Sequence, residues 1–74
     1  MASIEFKNTK NGSIRSFDNI STIKVHDGQQ TIDEFDVKSV IFDYKTGQTF
    51  EIISNSETSV VSLGKDWMPY RGFN

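Results

Sequence analysis

Apolar residues alternate with polar ones along most of this chain, and turn residues interrupt the alternation at short, even intervals. This is the period of strands that bury one face. The clearest instance is Val40-Ile41-Phe42-Asp43-Tyr44-Lys45-Thr46-Gly47-Gln48-Thr49-Phe50-Glu51-Ile52. With Lys45-Thr46-Gly47 as the loop and Gly47 in the left-handed conformation, the pattern predicts a hairpin that sets Phe42 opposite Phe50 and Val40 opposite Ile52. The other face would carry Ile41 opposite Glu51 and Asp43 opposite Thr49, so a slip of one residue would turn charge inward.

Asn11-Gly12 predicts a second hairpin, with Phe6 facing Phe17 and Lys7 facing Ser16, and Asp18-Asn19 reads as the next turn. Ile20 to Val25 is a β-branched run that ends at Asp27-Gly28, where a tight turn pairs Ile23 with Ile32 but also Val25 with Gln30. The register there is weakly specified. Thr31-Ile32-Asp33-Glu34 has the spacing of a capping box, so residues 29–37 read either as strand or as one helical turn near Thr31 to Phe35, leading into a strand from Val37 to Tyr44. Ser54 to Thr58 is a polar turn, and Ser59 to Leu63 is a last strand with Val61 and Leu63 on one face. The order Ile4-Glu5-Phe6, turn, Phe17, turn, Ile20 to Ile23 parallels Val40 to Phe42, turn, Phe50, turn, Ser59 to Leu63. The identities are few, and two similar three-strand meanders account for them. The expected fold is all-β: a single domain over residues 1–74, an antiparallel meander of five or six strands curled into a small barrel or open sandwich.

At 74 residues the chain buries only roughly 60% of its unfolded surface, and one core supplies about 3–5 kcal/mol. It has no cysteine, so disulfides, thiolate zinc sites and thiol nucleophiles are excluded. Aromatic residues at 12%, or an oligomer, are left to supply stability. The formal charge of -2 provides no global field for nucleic acid. No apolar run is long enough for a membrane-spanning helix, and Met1-Ala2-Ser3-Ile4-Glu5-Phe6 lacks the basic and apolar regions of a signal peptide. A cytoplasmic protein is the expectation.

Residues that could carry chemistry are sparse. His26, the single histidine, has Asp27 as its neighbour, but adjacent residues of a strand point to opposite faces, and a solvated histidine at a turn edge is expected. Asp27, Asp33, Glu34, Asp36 and Asp43 lack the alternating spacing of a calcium loop and read as an acidic edge. Asp18-Asn19-Ile20-Ser21-Thr22 and Ser54-Asn55-Ser56-Glu57-Thr58-Ser59 resemble the calcium motif of βγ-crystallin domains. Each departs once: Ile23 stands where the first needs Ser, and Ser54 where the second needs Asn or Asp. The resemblance implies calcium; both segments are assigned to ordinary turns. No glycine-rich phosphate loop is present. No enzyme activity, cofactor or metal is expected.

The C-terminal segment, residues 64–74, gathers Trp67, Met68, Tyr70, Arg71 and Phe73, residue types enriched at interface hot spots. These five are the candidate partner-binding residues. Trp67 and Tyr70 closing one end of the core is the competing expectation, and Trp67 inside with Tyr70, Arg71 and Phe73 presented would satisfy both. The functional expectation is a non-enzymatic interaction module that binds a protein partner or itself, of the kind found among phage and mobile-element accessory or inhibitor proteins. The alternative is a barrel binding single-stranded nucleic acid or a small ligand, with Tyr44, Lys45, Trp67, Tyr70 and Arg71 stacking on bases or holding phosphates. Aromatics flanked by Lys7, Lys10, Arg15 and Lys24 on one face would favour that alternative.

Overall fold

In the computed structural model, residues 2–55 and 60–73 are described. In chain order they form β1 (Ser3–Asn8), β2 (Ile14–Phe17), β3 (Ile20–Asp27), β4 (Gln30–Glu34), α1 (Val37–Phe42), β5 (Thr49–Ser54), β6 (Val60–Leu63) and β7 (Trp67–Phe73). The strands make two antiparallel sheets, ordered β2-β1-β7 and β4-β3-β5-β6. The all-β class is as expected. The strand count is seven rather than five or six, and the two sheets do not close into a barrel. Ile4 and Phe6 of β1 meet Ile23, Val25, Phe50, Ile52 and Leu63 of the larger sheet in the core, with the Phe6 and Phe50 rings 5.0 Å apart.

The predicted hairpin from Val40 to Ile52 does not form. Val37 to Phe42 is helical, and Phe42 is 84% exposed while Phe50 is 1% exposed. Two causes act together. Asp36 caps the helix by accepting the Lys38 N–H at 2.9 Å, and Val37, Val40 and Ile41 fall at the i, i+3, i+4 spacing that points one helical stripe at the core. In addition β5 has a ladder partner on each side, β3 pairing Val25 with Phe50 and β6 pairing Leu63 with Phe50. No edge of β5 is left for residues 40–44. The helical turn therefore sits after Glu34, and the Thr31 to Glu34 capping box is strand instead. Asp36→Ala is expected to cost about 1 kcal/mol, read as a lower urea midpoint with an unchanged slope.

The other turns keep their faces and shift their registers. Gly47 does take a positive φ, +92°, but its loop joins α1 to β5. In the first hairpin Ile4 faces Phe17 and Phe6 faces Arg15, two residues from the expected register, because the loop runs from Asn8 to Ser13. Asn8 holds it by accepting the N–H groups of Lys10 and Asn11. Phe6 and Phe17 still touch, edge to face at 6.0 Å, since a shift of two leaves both on the same side. In the second, Gly28 at φ +67° is the first loop residue, so Val25 faces Ile32 and Ile23 faces Glu34. The expected β6 face is observed, with Leu63 buried and Val61 packed on the core. The supposed repeat disappears with the strand at 40–42.

Two corners join the sheets. Asn19, at φ +55°, turns the chain from β2 into β3, where the Ile20 N–H reaches the Ala2 carbonyl and the Asn55 N–H reaches the Asn19 carbonyl. At the other end the Thr9 N–H donates to the Asp66 carbonyl at 2.7 Å. This bond sets the start of β7 beside β1. The C-terminal segment is thereby an edge strand of the smaller sheet, running antiparallel to β1 from Trp67 opposite Asn8 to Phe73 opposite Ser3. Gly72 lies where α1 crosses it.

Candidate functional site

Strand geometry divides the C-terminal residues between two faces. Trp67 packs partly buried against the core, Pro69 is buried, and Gly72 lies beneath α1. The ladder to β1 is irregular between Glu5 and Phe6, which face Arg71 and Pro69, so Tyr70 is the extra residue of a bulge. The bulge tolerates a proline in an edge strand and turns Tyr70 outward. On the outer face Lys7 Nζ lies 5.6 Å from the centre of the Tyr70 ring, and the Arg71 guanidinium 5.4 Å from that of Phe73. Glu5 sits between, 3.9 Å from Arg71 Nε and accepting the Ser16 hydroxyl. Tyr70, Phe73 and Ile14 are exposed. Each exposed cation–ring contact is worth about 0.5–1 kcal/mol, a bias toward these side-chain positions that leaves the ring edges open.

Other candidate residues lie elsewhere. Tyr44 stacks on Phe50 at 6.3 Å, and with Lys45 it borders a groove beside α1 rather than the Tyr70 face. The Arg15 guanidinium lies over both Phe17 and Trp67, Lys10 pairs with Asp66 at 3.5 Å, and Lys24 belongs to the larger sheet. Of the four cations Lys7, Lys10, Arg15 and Lys24, only Lys7 flanks the Tyr70 face, while Arg15 flanks Phe17 and Trp67 instead. The groove itself, about 480 Å³, is lined by Val25, Ile32 and Glu34 from one side and Val40, Phe42 and Asp43 from the other. Sequence reading missed it, because it placed Phe42 in the core; the Val37, Val40, Ile41 spacing after Asp36 was the available signal.

No protein-family model matches the chain, and no curated protein or solved structure matches it either.

His26 is partly buried instead of solvated, its side chain 27% exposed, and one ring nitrogen is hydrogen-bonded. Nδ1 lies 2.9 Å from Thr31 Oγ1, directly opposite on β4, and Nε2 lies 3.0 Å from Glu51 Oε1 on β5. The Glu51 contact has the distance of an ion pair, though it lies off the direction of an aligned N–H bond. A hydroxyl, an imidazole and a carboxylate in a row invite comparison with a nucleophile, base and orienting acid. The hollow beside His26, however, is bordered by Thr49, Glu51 and Ser62, on the side away from Thr31. The row therefore ties β4, β3 and β5 together across the outer face.

The acidic residues do not converge on one point, although Glu34 and Asp43 border the same groove. Asp27 ends β3, Asp33 and Glu34 lie on β4, and Asp36 and Asp43 cap the two ends of α1. Among the described residues no three His, Cys, Asp or Glu side chains converge as a metal would require. Of the two calcium-like segments, Asp18 to Thr22 is the corner into β3, whereas most of the second lies outside the described residues. Among the described residues no helix is long and apolar enough to cross a membrane.

Proposed function

We propose that this protein is a non-enzymatic binding module that engages a protein partner, or a second copy of itself, through the outer face of β1 and β7. The observation that carries this reading is the split of the C-terminal segment. Its backbone and its Trp67, Pro69 and Gly72 serve the fold, while Tyr70, Arg71 and Phe73 are held outward on a paired strand with no structural task of their own. Aromatic side chains have few rotatable bonds to immobilise on binding, and aromatics with arginine are the residue types that dominate interfaces. Met68 and Ile14 extend the apolar surface beside them.

Truncating the segment would remove a strand, so point substitutions are the informative test. Tyr70→Ala and Phe73→Ala should fold normally by circular dichroism. Each should weaken association, followed by sedimentation for self-association and by co-purification from the native host for a partner, by at least about tenfold. Association that is unchanged in the double substitution removes this face from consideration.

One observation favours the second reading, a single-stranded nucleic-acid binder: Lys7 and Arg71 lie beside Tyr70 and Phe73, as a stacking platform needs. Glu5 in the middle of that face, and the formal charge of -2, work against phosphate. Anisotropy of a labelled oligonucleotide separates the two. Salt-dependent binding lost in Lys7→Ala and Arg71→Ala would replace the protein-partner reading.

A further inference from the structure

The larger sheet ends in β4, whose outer edge is open. In a hairpin closed by a two-residue loop, Asp27 and Gln30 form a hydrogen-bonded pair, and such pairs alternate along the ladder. Gln30, Ile32 and Glu34 therefore bond to β3, and the main-chain N–H and C=O groups of Thr31 and Asp33 point away from the sheet. None of the main-chain bonds outside helices and strands involves either residue among the described residues. That is an unoccupied ladder.

Beside this edge runs the groove, with Ile32 and Glu34 of β4 on one wall and Val40 and Phe42 of α1 on the other. Ile32 is 42% exposed and Phe42 84%. An open strand edge next to a groove with an apolar stripe, here Val25, Ile32, Val40 and Phe42, flanked by a helix is the arrangement that receives an extended peptide: the ladder supplies affinity, and alternate side chains enter the groove. Charge selects the occupant. Glu34 and Asp43 outnumber Lys45 among the side chains that line the groove, and Asp33, across the ladder from Lys24, adds a third carboxylate at the edge, so the balance there is acidic. Two copies joined through β4 would crowd two sets of Asp33 and Glu34 onto one short edge, where they repel.

We propose that β4 and the α1 groove bind an extended segment of a partner protein in which apolar and basic residues alternate. The segment adds as a fifth strand beside β4. Its apolar side chains contact Ile32 and Phe42, and its basic ones lie on the opposite face, near Asp33. This site is separate from the Tyr70 face and does not depend on it.

The test uses the full chain and a fluorescein-labelled peptide alternating valine with lysine, followed by anisotropy. The peptide should bind saturably. Binding should fall at least about tenfold with Phe42→Ala, with Asp33→Lys, or when glutamate replaces lysine in the peptide. Both substituted side chains project from the core, and circular dichroism should show the fold unchanged. N-methylation of the amides in one alternate phase of the peptide should abolish binding, and in the other phase should leave it, because only one edge of an added strand faces β4. No binding, binding that survives Phe42→Ala, or equal sensitivity to methylation in both phases would overturn the proposal. A rise in mass lost on Asp33→Pro would do so too, by assigning the edge to a second copy.

Discussion

Phe50→Ala is expected to cost about 3–5 kcal/mol and to leave the chain largely unfolded, whereas Phe42→Ala should change stability by less than about 0.5 kcal/mol. The two rings belong to one short stretch of sequence with the same apolar pattern, yet only one is in the core. Phe50 contacts Phe6 across the sheets and Tyr44 within its own half, and its removal would leave a cavity between layers that already pack closely. A domain of this size has about 3–5 kcal/mol to lose. Phe42 ends α1 with its ring in solvent, and alanine is the better helix former, which offsets the little contact that is lost. Urea titration of the two variants measures the difference directly. Similar losses at both positions would mean that residues 40–52 form the hairpin after all.

Alternation of apolar and polar residues fixes which face a side chain takes, and less firmly which residue it faces. Phe6 and Phe17 share a face, as do Ile23 and Ile32, although both registers moved by two, because a shift of two leaves every face unchanged. The details that decide register are local ones, such as Asn8 folding its loop or Gly28 coming first in its turn. The failure at Val40 to Phe42 is of another kind. A strand and a helix are both compatible with the residues there, and the choice rests on the Asp36 cap together with β3 and β6, which occupy both edges of β5. Pairing of the last strand with the first is also non-local, so the composition of Tyr70, Arg71 and Phe73 was legible while their support was not. The bulge that turns Tyr70 outward follows from the ladder to β1, to which nothing near Tyr70 in sequence refers. The groove is not legible for the same reason: its outer wall depends on Phe42 lying on a helix, whereas alternation alone puts that ring in the core.

Gly72→Ala is expected to destabilise by about 1–3 kcal/mol, a large effect for one methyl group. An added Cβ would stand 2.9 Å from Ile41 Cδ1, 3.1 Å from Val37 Cγ2 and 3.2 Å from Val37 Cβ. The first of these can yield, since Cδ1 is the end of a side chain that can rotate. Val37 cannot, because it is fully buried in the first turn of α1 and its Cβ moves only with the helix backbone. The methyl group would therefore lift α1 from β7, loosening Val37 and Val40 together. A double-mutant cycle separates the two contacts. Ile41→Val should recover part of the loss in Gly72→Ala, since it deletes the nearest atom, while Val37 at 3.2 Å keeps the recovery incomplete. Gly72→Val should exceed both, because two further methyl groups have no space beneath the helix. Urea midpoints for the four proteins measure the coupling, with Trp67 fluorescence reporting on β7 itself. A neutral Gly72→Ala would show that α1 does not rest on this strand, and the wall of the groove formed by Val40 and Phe42 would then have no fixed position.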